Sequence, residues 1–128
     1  MKRNLDLMRQ ILLAREASDK LRIFDSDIAN TIESLKETNY NIQLLDDAGY
    51  IETKSHIDRI ELEDGRLIPL ERFEIYRLTN AGHDYLDSVR DDEIYKKIKQ
   101  KLGPHITSAT LDVIKHVSES ILLKLLNI

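Results

Sequence analysis

Lys36, Tyr40 and Gln43 stand four and three residues apart, with Asn39 beside them, in the stretch LKETNYNIQLLDDAG. At helical spacing the first three share one face and Asn39 lies on its flank. A carboxamide can bond an adenine edge in two places, and a lysine can meet a phosphate or a guanine. The plain alternative is a solvated polar helix face of the kind most surface helices carry. Arg59 and Arg66 lie further along, around the turn dipeptide Asp64-Gly65, and Lys2, Arg3, Lys20 and Arg22 lie near the start. Those cations have the chemistry of backbone phosphate contacts.

The charge pattern opposes this reading. Residues 1–24 hold six basic and three acidic side chains, whereas residues 25–52 hold one basic and seven acidic ones. Phosphate neutralisation dominates non-specific binding, so an acidic segment repels the duplex that it would have to enter. Asp47 falls on the reading face itself. Two other roles fit the same residues: an acidic docking face for a basic protein surface, or a dimer whose basic N-terminal helices restore the attraction.

Other chemistries find little footing. The chain has 128 residues, a net charge of −4 and no cysteine. That removes disulfides, thiolate metal sites and a cysteine nucleophile, and it suits a reducing compartment. His56, His83, His105 and His116 lack a second histidine at ligand spacing, so neither a metal nor any other cofactor is expected. There is no glycine-rich phosphate loop and no nucleophile elbow. The expectation is a non-enzyme. MKRNLDLMRQ lacks the form of a secretory signal, and no apolar run is long enough to span a bilayer. Both favour a cytoplasmic location without membrane association.

Several elements must position these residues. Leu5, Met8, Ile11, Leu12 and Ala14 give a first helix over 3–17, with Arg9, Gln10 and Arg15 around its back. LRIF at 21–24 is an extended link or a small strand. Ser26 or Asp27 caps a short helix bearing Ile28, Ala29 and Ile32, and a break near 33–35 leads to a second helix over 36–48. Gly49 stops that helix. Two strands follow, joined at Asp64-Gly65 in a type I′ turn, with Pro69 marking an edge position. The second strand, FEIYRL, runs straight into Thr79, a natural N-cap. Gly82 in the next turn lets the helix begin close to the sheet. Asp91 or Asp92 re-caps a further helix, and Gly103-Pro104 ends it.

The tail from Thr107 to Ile128 is one more helix. Ile114, Val117, Ile121, Leu125 and Ile128 form a side with spacing close to a heptad seam. That seam serves a homodimer or ordinary packing against the first helix. Of the five tyrosines, only Tyr40 is read as outward, and the others as half-buried with wet hydroxyls.

Helix, short helix, helix, hairpin and helices is the order of a winged helix-turn-helix, an α+β fold. LLDDAGYIE followed by YRLTNAGHDYL also resembles that superfamily, which implies a domain over 1–79 with an antiparallel wing and a helical extension over 80–128. More narrowly, MKRNLDLMRQILL, YNIQLLDDAGYIE, RLTNAGHDYLDSVRDDEIYKKIKQKL and TLDVIKHVSESILLKLL resemble the DUF2513 family of bacterial and prophage proteins. The DUF2513 name carries no established activity; it is the winged-helix resemblance that implies a DNA-binding transcriptional regulator in which residues 36–48 enter the major groove of double-stranded DNA. The alternative is an acidic protein-interaction module that keeps the fold without the DNA role.

Overall fold

Asn4 opens the first helix. Its side-chain oxygen accepts the N–H of Leu7 at 3.0 Å, and its own N–H donates to Asn41 Oδ1 at 2.8 Å. One residue thus caps α1 (Leu5–Ala17) and docks it on α2 (Ile32–Asp47). The computed structural model describes residues 1–127. In order the elements are α1, β1 (Ile23–Phe24), α2, β2 (Ile51–Glu61), β3 (Leu67–Leu78), α3 (Asn80–Val89), α4 (Asp92–Leu102) and α5 (Leu111–Leu125). Among the described residues this is a mixed α+β fold with five α-helices and a three-stranded antiparallel sheet in the order β1-β3-β2. Among the described residues no helix is long and apolar enough to cross a membrane.

The core runs through all five helices and the base of the sheet. Met8, Ile11 and Leu12 of α1 meet Ile42 and Leu45 of α2, Ile51 and Ile75 of the strands, Leu86 and Val89 of α3, Ile98 of α4 and Ile114 of α5. A smaller cluster joins Ala29 and Leu35 to Leu70 on the hairpin.

Four expectations change. The short helix over Ile28–Ile32 is absent, and a single 3-10 turn at Asp25–Asp27 takes its place. Asp27 accepts the N–H of Phe24, while Asp25 is wholly buried against β3, taking the N–H of Phe73 and a forked pair of bonds from Arg72. Those bonds pull the segment onto the sheet. Helix α2 then starts earlier than expected and runs unbroken, because Thr31 and Ser34 exchange side-chain-to-backbone bonds at its first turn.

The hairpin turn is not type I′. Only Gly65 has positive φ, at +84°, and its N–H donates to the Leu62 carbonyl. Asp64 keeps negative φ and instead accepts from Arg66 N–H. The loop is one residue longer than a two-residue turn, and the glycine takes the bulge position.

The last helix begins at Leu111, capped by Thr110, and packs on α3 and α4 instead of α1. Ile128 lies outside the described residues.

The edges of the sheet differ. The Glu71 carbonyl points away from β2 and accepts Asn39 Nδ2 at 2.7 Å. Backbone groups alternate along a strand, so Pro69 and Phe73 point the same way. Proline has no N–H to leave bare there, and Phe73 N–H is taken by Asp25. The open side of β3 beyond β1 is therefore tied down at Glu71 and Phe73, and Pro69 lies on that edge, the position read for it.

Candidate nucleic-acid interface

Helix α2 presents Lys36 and Gln43 to solvent, with Tyr40 half-buried between them and Asp47 exposed near the end. Asn39 does not join them. It is 7% exposed, and its amide is held against the hairpin at Glu71. The helical wheel puts it on the flank of the polar face, but β3 folds back over that flank. Its Oδ1 is buried without a hydrogen-bond partner among the described residues. Asn39 is thus a latch between α2 and the hairpin and presents no free amide to a duplex.

Between the helix and β3 runs a shallow groove of about 180 Å³, lined by Lys36, Tyr40 and Gln43 on one wall and Leu70, Glu71 and Phe73 on the other. On its other side Tyr40 borders a second cleft, shared with Lys2, Arg3 and Leu44. The fold therefore brings the N-terminal cations onto the α2 face, a grouping that sequence separation conceals. Arg3 is fixed there by its guanidinium bond to the Ala109 carbonyl at 2.6 Å. The wider cleft of about 630 Å³ at the start of α1 adds Lys36 to Lys2 and Arg3, interleaved with Asp6, Glu33 and Glu37.

The remaining cations lie elsewhere. Arg66 sits at the hairpin tip with its Nε 2.6 Å from Asp64, both exposed. Arg59 is exposed on β2 opposite Pro69. Arg22 reaches Glu74 at 3.7 Å and lies over the Phe24 ring. The Lys20 carbonyl accepts from Arg15.

Two arginines read as the solvent side of α1 are structural. Arg15 is 6% exposed and donates to the carbonyls of Ile75, Ser18 and Lys20. Arg9 donates to Val89 O and Asp92 and lies 4.7 Å over the Tyr95 ring. Hydrophobic periodicity carries no signal for either, since it scores every arginine as outward.

Two tyrosines are deeper than expected. Tyr85 is almost wholly buried and stacks on Tyr50 at 5.2 Å between ring centres. Burial holds its hydroxyl far above the usual tyrosine range. Tyr95 is also pushed far up, by burial and by donating to Asp6 Oδ1 at 2.6 Å. The same bond, helped by Lys99, holds the Asp6 carboxyl below its ordinary value.

The seam read on the last helix is divided. Ile114 and Ile121 are buried in the core, and Val117 packs against it. Leu125 is 54% exposed, because the last turn of α5 overhangs the body. Ile114 and Ile121 are thus spent inside the chain and Val117 is half-buried, which leaves Leu125 as the exposed member of these four.

The family model described as "Hypothetical protein (DUF2513)" matches residues 2–107. The chain belongs to the DUF2513 family. A protein of Haemophilus influenzae (strain KW20/Rd), described as an uncharacterized protein, is 32% identical over 126 residues, covering 98% of this chain and 99% of that one. No solved structure matches the chain. The DUF2513 match takes in α1 through α4 and stops before α5.

Proposed function

We propose that this DUF2513 chain is a non-catalytic winged-helix protein that binds double-stranded DNA as a bacterial or prophage regulator. Helix α2 is the reading element and the β2–β3 hairpin is the wing. The order helix, strand, turn, helix, hairpin and the sheet order β1-β3-β2 support this reading, with the 3-10 turn at Asp25–Asp27 in place of the usual second helix. The observation that carries it is the position of Tyr40. It stands on α2 between the Lys36–Gln43 groove and the Lys2–Arg3 cleft, so reading groups and phosphate-binding groups share one surface.

Retention of random duplex fragments in a low-salt gel shift at micromolar protein tests it. Affinity falls steeply as salt rises, and Lys36→Ala and Arg3→Ala each flatten that slope. Absence of any retention at low salt ends this reading.

A second reading has its own support. Asn39 is withdrawn from the surface, while Glu33, Glu37, Asp46 and Asp47 are exposed along the same helix. An acidic module that docks on a basic protein would use those carboxylates. It predicts no DNA retention, and capture of a basic host protein that Glu37→Lys with Asp47→Lys abolishes.

A further inference from the structure

The two edges of the hairpin are not alike. On β3 the Glu71 carbonyl is taken by Asn39 and the Phe73 N–H by Asp25, and Pro69 has no N–H to offer. Ile57 pairs with Glu71, Ser55 with Phe73 and Arg59 with Pro69. These are the pairs whose backbone groups point away from each other, so Ser55, Ile57 and Arg59 turn their N–H and C=O outward from β2. Among the described residues nothing accepts from or donates to those groups, and the strand is exposed from Lys54 to Ile57. Among the same residues no proline or covering helix guards this stretch, and the single bulge lies nearer the core, between Glu52 and Thr53. A long bare edge of this kind is a template for another strand.

The charges along the strand select that other strand. We propose that β2 pairs antiparallel with β2 of a second copy of this chain, about a two-fold axis at His56. In that register Lys54 of each copy stands opposite Asp58 of the other, and the axis repeats the pair. Thr53 faces Arg59, Glu52 faces Ile60, and no like charges meet. Ile57, which is 62% exposed in the single chain, meets its counterpart diagonally across the axis. An axis at Ser55 would set Glu52 against Asp58, and an axis at Asp58 would set that carboxylate against itself. An axis at Ile57 would lose the Lys54–Asp58 pairs. Within its own chain Asp58 has only loose neighbours, His56 at 3.4 Å and Arg72 at 3.8 Å, and remains 47% exposed, so its carboxylate is open to a second lysine. The proposal is independent of what α2 binds.

Sedimentation velocity of the full chain at tens of micromolar, with two charge reversals, tests it. Wild type sediments as a dimer. Lys54→Asp alone sets carboxylates against carboxylates at both ends, and Asp58→Lys alone sets lysine against lysine, so each weakens self-association by roughly tenfold or more. Mixing the two variants restores the dimer as a heterodimer. The carboxylate introduced at position 54 of one chain then faces the ammonium introduced at position 58 of the other, while the native pair remains at the opposite end. A wild-type monomer, a dimer indifferent to either reversal, or a mixture that stays monomeric overturns the proposal. Lys54 is exposed and the Asp58 side chain about half-exposed, and recovery on mixing requires each variant to be folded.

Discussion

A β-carbon placed on Gly82 would lie 1.9 Å from the carbonyl oxygen of Tyr50. The first turn of α3 is therefore pressed against the backbone where α2 hands over to β2. Thr79 helps hold the contact, since its hydroxyl donates to the Gly49 carbonyl and accepts the Gly82 N–H. Gly82→Ala must push α3 off the sheet. The expected cost is about 3 kcal/mol, read as a fall of roughly 10 °C in Tm. An unchanged melting curve would show that the contact is looser than described.

Asn39 and Gln43 separate structure from recognition. Asn39→Ala removes the bond to Glu71 O and is expected to lower stability by about 1 kcal/mol. Gln43 is exposed, so denaturant unfolding should be indifferent to Gln43→Ala while duplex affinity in the gel shift drops. The reverse pattern would move the reading face to the other side of α2.

The buried phenols set the alkaline limit. Tyr85 and Tyr95 have raised values in the fold and ordinary ones, near 10, when unfolded. Their contribution is complete below about pH 10 and is lost as pH rises beyond it. Spectrophotometric titration should show these two tyrosinates appearing together with unfolding and not before it. Tyr95→Phe also frees Asp6, whose depressed value supplies a small contribution that is present above pH 3.8 and lost as pH falls. Asp6 is exposed and well screened, so the variant should flatten the acid limb only slightly.

On α5 the two sides of the expected seam should respond oppositely. Ile114 is fully buried, and Ile114→Ala is expected to cost about 3 kcal/mol through the cavity it leaves. Leu125→Glu, at an exposed overhang, should change stability by less than about 0.5 kcal/mol and leave the sedimentation coefficient unaltered. A monomerised Leu125→Glu chain would instead make the overhang the seam.

Most of the elements could be read from residues that act locally. Gly49, Thr79 and Asp91 each fix a boundary through their own backbone or side chain, and the structure places all three where expected. Gly82 could be read for the same reason, since a glycine in a first turn directly after a strand signals close approach. The errors arise where a partner distant in sequence decides. Asp25 looks like an ordinary pre-helical acid until Arg72 and Phe73 arrive from β3. Asn39 looks exposed until Glu71 covers it. Arg15 looks solvated until three carbonyls gather around it, one from β3 and two from the connection between α1 and β1. The α5 stripe is truly apolar, but periodicity cannot say whether α3 and α4 or another molecule receives it. The grouping of Lys2 and Arg3 beside Tyr40 depends on how α1 is docked, which the Asn4–Asn41 bond settles only in the folded chain.

The hairpin is anchored at its base by Ile51, Phe73 and Ile75, while its tip from Glu63 to Arg66 touches no core residue. Foreign sequence spliced between Asp64 and Gly65 would thus lengthen an appendage without disturbing the body. The same spot suits a reporter or affinity tag, and a protease nick there should leave two fragments that stay associated.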